Sequence, residues 1–169
     1  TTTQAGTILG LGFAFLLAVF PLYNWIPMLM EENSPYATGF LLWALPTFTV
    51  IFALGFLDRY AWLRTSPQLG SAIQFAGVLM VASGGIFAAL QRHIGRMLGY
   101  ASIAETGLLI LIMGLKPSEI VNLTFLILIP RGLALAVWAL ALSIIKRLAY
   151  SLRFNEIQGL ARRYPLAVI

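Results

Sequence analysis

Cysteine is absent and histidine occurs once among the 169 residues. That scarcity excludes thiolate zinc sites, iron–sulfur clusters, disulfides and any haem held by two histidines, so no cofactor and no redox chemistry are expected in this chain. Charge is also scarce, at 10% of residues against roughly 25% in soluble domains. Hydrophobic residues make up 60%, and the mean hydropathy is +0.89. An ordinary water-soluble domain is thereby excluded, and the bilayer is the expected solvent. The net charge of +5 would point to nucleic acid in a soluble protein. Here the bases lie between apolar runs rather than in a patch, so no nucleic-acid partner is expected. Nucleotide-binding motifs are absent too: Gly6 with Gly10, and Ser83-Gly84-Gly85, have the spacing of small-residue helix packing rather than of a phosphate loop.

What is present is a series of apolar runs. Thr1–Met30, Asn33–Leu57 and Thr65–Gln91 carry no charge, Met97–Leu115 is interrupted only by Glu105, and Ile120–Ile145 only by Arg131. A spanning helix needs about 20 apolar residues. The fold class expected is therefore an all-α, polytopic transmembrane helical bundle, with five spans in a single membrane domain over residues 1–169. Pro165-Leu166-Ala167-Val168-Ile169 reads as the start of a sixth. The first run is too long for a signal peptide and has no basic segment before it. A start at Thr rather than Met suggests a processed product or part of a longer subunit. Arg59, Arg64 and Lys116 fall on one side, and Arg92, Arg96, Lys146, Arg147, Arg153, Arg162 and Arg163 on the other. By the positive-inside rule the second side faces cytoplasm or matrix, with the N-terminus outside. Tyr60, Trp62, Tyr100 and Tyr150 sit near span ends, where headgroups favour amphipathic rings.

Pro21, Pro46 and Pro130 interrupt the spans, each freeing the carbonyl four residues back, at Leu17, Leu42 and Leu126. Backbone freed at membrane depth must be satisfied by protein or by cavity water, either in a broken helix or in a packed kink.

Chemistry at membrane depth is confined to two ionisable residues, Glu105 and Arg131, and such residues are functional candidates by default. Glu105 precedes Lys116 by 11 residues and Arg131 follows Glu119 by 12. At ~1.5 Å per residue, both lie about 16–18 Å from the same loop. Adjacent spans run antiparallel, so the two share a depth and are expected to form an intramembrane ion pair, direct or water-bridged, with Arg131 also capping the Leu126 carbonyl. Glu105 is then a proton carrier tuned by Arg131, or half of a static pair fixing registry. His93 is a weaker proton-path candidate, because its place between Arg92 and Arg96 at a span end favours a solvated or headgroup-facing ring. Glu31 and Glu32 read as a solvated turn.

Three segments resemble one family: the antiporter-like, proton-conducting membrane subunits of respiratory complex I, with relatives among multisubunit cation/proton antiporters and membrane-bound hydrogenases. Phe20-Pro21-Leu22-Tyr23-Asn24-Trp25-Ile26-Pro27 resembles the family's Pro-Phe/Leu-His-x-Trp-Leu-Pro segment, and Ser34-Pro35-Tyr36-Ala37-Thr38 its Ala-Pro-x-Pro-Val-Ser. Leu90-Gln91-Arg92-His93-Ile94-Gly95-Arg96-Met97-Leu98-Gly99-Tyr100-Ala101-Ser102-Ile103-Ala104-Glu105-Thr106-Gly107 is similar to Leu-Gln-x-Asp-x-Lys-Arg-Leu-Leu-Ala-Tyr-Ser-Ser-Ile-x-His-x-Gly. Gly159-Leu160-Ala161-Arg162-Arg163-Tyr164-Pro165-Leu166-Ala167 resembles the Gly-Leu-x-x-Arg-x-Pro-Leu stretch in the form of the quinone-proximal type, subunit N of bacteria and subunit 2 of mitochondria.

The resemblance implies about a third of a subunit of about fourteen spans, from the seventh to the start of the twelfth. It further implies a bacterial plasma membrane or mitochondrial inner membrane, lipid, and other membrane subunits as partners, including the N-terminal half. The implied function is NADH:quinone oxidoreductase activity coupled to proton translocation, with NADH, flavin, iron–sulfur clusters and quinone held elsewhere in the complex. Two departures bear on it. Where the family carries a lysine five residues before the first proline of its Pro-x-x-x-Trp segment, this chain has Leu16, and the next basic site aligns with Leu41, Leu45 or Pro46. The proton path is thus degenerate there. The alternatives are a non-conducting scaffold of the same complex, or a subunit of a cation/proton antiporter or hydrogenase; an unrelated five-span carrier fits less well.

Overall fold

In lipid only an intrahelical or interstrand carbonyl can satisfy a backbone amide, so apolar runs of this length fold as helices. The computed structural model describes residues 2–60, 62, 66–114 and 117–157, and helices with short turns account for them without a strand. In chain order these are α1 (Thr2–Leu16), a 3-10 turn (Leu22–Asn24), α2 (Trp25–Glu32), α3 (Pro35–Arg59), α4 (Pro67–Ala89), α5 (Ile94–Met113), α6 (Pro117–Ala149) and α7 (Phe154–Ile157). Pro35 and Pro67 open their helices, where a missing N–H leaves no bond unmade. Pro35–Arg59, Gln68–Ala89, Ile94–Met113 and Ile120–Ala149 are long and apolar enough to cross a membrane.

The all-α polytopic architecture is as expected, but the first apolar run does not make a fifth continuous span. Helix α1 stops at Leu16, Ala18 adopts a left-handed φ of 48°, Phe20–Pro21 is a cis peptide, and the chain re-enters α-helix only at Trp25. Pro46 and Pro130 behave differently, because α3 and α6 run straight through them. Among the described residues only the run around Pro21 is a broken helix. The other two prolines each cost one ladder bond and leave the helix intact.

Helix α5 is the hub, with α4 along one face, α2 across a second, and α3 and α6 on a third. Glycines set these approaches. A Cβ on Gly84 would lie 2.7 Å from the Ala104 amide nitrogen, and one on Gly99 2.8 Å from Pro27 Cα. Both α4 and α2 therefore sit directly on the α5 backbone. The small-residue expectation holds for Gly84 but not for Gly85 or Gly10, where a Cβ would meet nothing. Helix α6 turns one stripe inward, Thr124, Leu128, Arg131, Leu135, Ala139 and Leu142, spaced by three or four residues as one helical face requires. Leu126, Ile129, Leu133 and Val137 cover its outer side and are exposed.

One end of the bundle gathers Arg92, Arg96, Lys146, Arg147 and Arg153. Arg96 pairs with Glu31, Lys146 Nζ donates to the Asn33 carbonyl at 3.0 Å, and the Ile94 amide donates to the Leu152 carbonyl at 3.0 Å. Glu31 is thus an ion-pair partner rather than part of a merely solvated turn, because the α5 N-terminus is folded back beside α2. Arg64, Lys116, Arg162, Arg163, the Gly159–Ala167 segment and the expected sixth span at Pro165–Ile169 lie outside the described residues.

Candidate functional site in the membrane core

Three helices contribute to one polar cluster. On α5, Ser102 and Thr106 lie one turn apart on a buried face, and their hydroxyls fold back onto the backbone: Ser102 Oγ donates to the Gly99 carbonyl and Thr106 Oγ1 to the Ser102 carbonyl, both at 2.8 Å. On α3, Pro46 has no amide to give the Leu42 carbonyl, which is buried and needs a donor from elsewhere. On α6, Arg131 is 3% exposed and supplies it. Its Nη2 donates to Thr106 Oγ1 at 2.8 Å and to the Leu42 carbonyl at 3.2 Å, and lies 3.5 Å from the Ser102 carbonyl. Thr106 is suited to this place because a hydroxyl accepts from the guanidinium while donating onward.

Glu105 joins from the side, its Oε2 3.5 Å from Arg131 Nε. The structure therefore brings together the two mid-span charges, each about halfway along its helix. The cap is where the sequence reading is corrected. Arg131 reaches Leu42 on α3, not Leu126 on its own helix. Leu126 is 67% exposed on the outer face of α6, while Arg131 is buried on the inner face and donates across to α3. Sequence reasoning did not include Ser102 and Thr106 in the site. The signal was present: two hydroxyls at i and i+4, Ser102 one turn before Glu105 and Thr106 next to it, and a proline whose freed carbonyl lacks a donor. Arg131 Nε and Nη1 and Glu105 Oε2 are buried and make no hydrogen bond among the described residues.

Leu16, Leu41, Leu45 and Pro46, the apolar positions where the resemblance leads one to expect basic residues, lie beside this cluster. With Ser102 and Thr106 they border a space of about 10 Å³ between the broken first helix and α3, at the lower limit of what accommodates one water.

His93 is not in the cluster. It is the N-cap of α5, where its Nδ1 accepts from the Arg96 amide at 3.3 Å. Partial burial depresses its pKa below the ordinary 6.5; Glu31 opposes the shift, while Arg96, Arg153 and Lys146 add to it. Protonation would also fill the capping lone pair. A histidine whose folded pKa is lowered contributes stability that is present above its ordinary value and is lost as the pH falls through the folded one. Lowering the pH from about 7.5 to about 5 is therefore expected to lower the thermal midpoint, and His93→Ala, at a cost of about 1 kcal/mol at neutral pH, should flatten that dependence. An unchanged slope in the variant would remove His93 from the account.

Comparison with known proteins gives one family. The profile described as "NADH:quinone oxidoreductase/Mrp antiporter, TM" matches residues 1–169. The chain is 24% identical to NADH-quinone oxidoreductase subunit N of Bdellovibrio bacteriovorus over 96% of its length and 35% of the relative. It is 29% identical to the subunit N of Heliobacterium modesticaldum over 92% and 33%, and 28% identical to NAD(P)H-quinone oxidoreductase chain 4 of Synechococcus elongatus over 92% and 29%. The chain thus spans about a third of the length of these curated relatives. No solved structure matches it significantly.

Proposed function

The chain belongs to the NADH:quinone oxidoreductase/Mrp antiporter transmembrane family, and from that premise we propose that it forms part of an antiporter-like subunit in a proton-translocating, complex I type NADH:quinone oxidoreductase. Its own residues would move or hold protons at membrane depth. NADH, flavin, iron–sulfur clusters and quinone would be held by other subunits of the same complex. The observation that carries this reading is the buried Arg131 with its Glu105 neighbour, since ionisable groups at this depth are costly and mark ion pathways by default. The basic end of the bundle would face cytoplasm or matrix.

A second reading, a scaffold that no longer conducts, is favoured by one observation. The small space beside the cluster is walled by Leu16, Leu41 and Leu45, and among the described residues no titratable side chain lines it. Purification of the chain from its native membrane, followed by mass spectrometry of the intact assembly, tests the shared premise of both. Quinone-reductase subunits and the remaining spans of the subunit are expected to come with it. Isolation without any such subunit would sink the assignment.

A further inference from the structure

At the basic end of the bundle, residues 92–94 and 152–154 lie antiparallel. The Ile94 amide donates to the Leu152 carbonyl at 3.0 Å and the Phe154 amide to the Arg92 carbonyl at 3.1 Å. His93 and Arg153 are therefore directly opposed between those two bonds, the arrangement that sets two side chains close together on one side of a ribbon. His93 Nδ1 accepts from the Arg96 amide, so the neutral ring carries its proton on Nε2 and has that donor to give. Arg96, Arg153 and Lys146 all act on His93 electrostatically, and Glu31 is the carboxylate that opposes them. Glu31 is taken by Arg96, and Lys146 donates to the neutral Asn33 carbonyl. Exposed Arg153 has no carboxylate at ion-pair distance among the described residues. Over the whole end, Arg92, Arg96, Lys146, Arg147 and Arg153 outnumber Glu31, Glu32 and Glu156.

Cations held side by side by the backbone repel one another, and an anion between them removes that cost. Their place decides which anion. His93 immediately precedes a helix long and apolar enough to cross a membrane, which puts it at headgroup level, and the nearby Leu90, Leu148 and Phe154 are exposed. An acidic loop of a neighbouring protein would lay polar backbone over those apolar side chains. A phospholipid covers them with acyl chain and presents its phosphate at the height of the cations. We infer that the junction between the start of α5 and the segment entering α7 binds the phosphate of an anionic phospholipid, with His93 Nε2 and the Arg153 guanidinium as donors and Lys146 and Arg96 as flanking charge. A headgroup of net negative charge, such as phosphatidylglycerol, is preferred to phosphatidylcholine, whose own cation meets the same side chains. The inference rests on the membrane placement of α5 and not on membership of the proposed complex, so it stands whichever subunits accompany the chain.

The test is labelling of the chain, in its native assembly, by phosphatidylglycerol that carries a diazirine in its headgroup, followed by peptide mapping. Adducts are expected within residues 91–96 and 150–157, and unlabelled phosphatidylglycerol should suppress them while phosphatidylcholine does not. Arg153→Gln should lower the yield about five-fold, the change that one basic residue makes at an anionic membrane surface. Arg153→Lys should restore most of it, and Arg59→Gln, at the far end of α3, should leave it unchanged. Equal suppression by phosphatidylcholine, or a yield indifferent to Arg153→Gln, would reduce the contact to ordinary surrounding lipid and overturn the inference. Suppression by inorganic phosphate would hand the site to a free anion and overturn it too. So would the absence of adducts in these two segments, as when an acidic protein segment covers them.

Discussion

Arg131→Ala is expected to remove most of the assembled protein from the membrane. The guanidinium donates to the Leu42 carbonyl that Pro46 leaves free, it is hydrogen-bonded to Thr106, and its charge faces Glu105. Truncation leaves a carbonyl and a carboxylate without partners and opens a void where three helices meet. Breaking a buried pair from one side costs about 3–5 kcal/mol, a large part of the ~5–15 kcal/mol that holds a typical domain folded. Arg131→Lys is expected to recover little, since a single ammonium cannot span the Leu42 carbonyl, Thr106 and Glu105 as a planar fork does. The double variant Arg131→Met with Glu105→Gln should recover part of the loss, because neither charge is then left buried alone. The quantity to measure is the amount of complex on native gels, together with its thermal midpoint. Wild-type assembly of Arg131→Ala would show that the guanidinium does not tie the helices together.

The difference between what could and could not be read from the sequence has a physical basis at each place. Apolar runs, two free of charge and two interrupted by a single ionisable residue, locate α3, α4, α5 and α6 because a backbone in lipid must satisfy its own hydrogen bonds and a run of that length does so as a helix. The common depth of Glu105 and Arg131 followed from rise per residue and antiparallel neighbours, and the two groups are indeed 3.5 Å apart. A proline, by contrast, does not announce whether its helix breaks. Pro46 is traversed because Arg131, 85 positions away, takes up the freed carbonyl. Around Pro21 the helix gives way instead, and Tyr23 is buried edge-on to Tyr100 on α5, ring centroids 6.4 Å apart. Both outcomes depend on tertiary partners that local pattern does not contain. The same holds for Glu31, whose pairing with Arg96 depends on α2 lying across the start of α5.

Glu105→Gln separates the conducting reading from the scaffold. The amide keeps the size of the side chain and leaves an oxygen dipole beside Arg131, so assembly and quinone reductase activity are expected to survive, in contrast to Arg131→Ala. What the amide cannot do is take up and release a proton. A positioned proton-transfer group is worth about 10²–10⁴-fold in rate, so transport by a route through Glu105 should fall by at least about 100-fold. In a complex with parallel routes, the pumping that remains is their share alone. The measurement is the initial rate of acidification by the purified complex in sealed proteoliposomes, normalised to NADH oxidised. A clear fall in that ratio at normal assembly makes Glu105 a proton carrier, despite the leucines at positions 16, 41 and 45. An unchanged ratio assigns the pair to structure: Arg131 then serves to satisfy the carbonyl that Pro46 exposes, and Glu105 to neutralise the cation doing so.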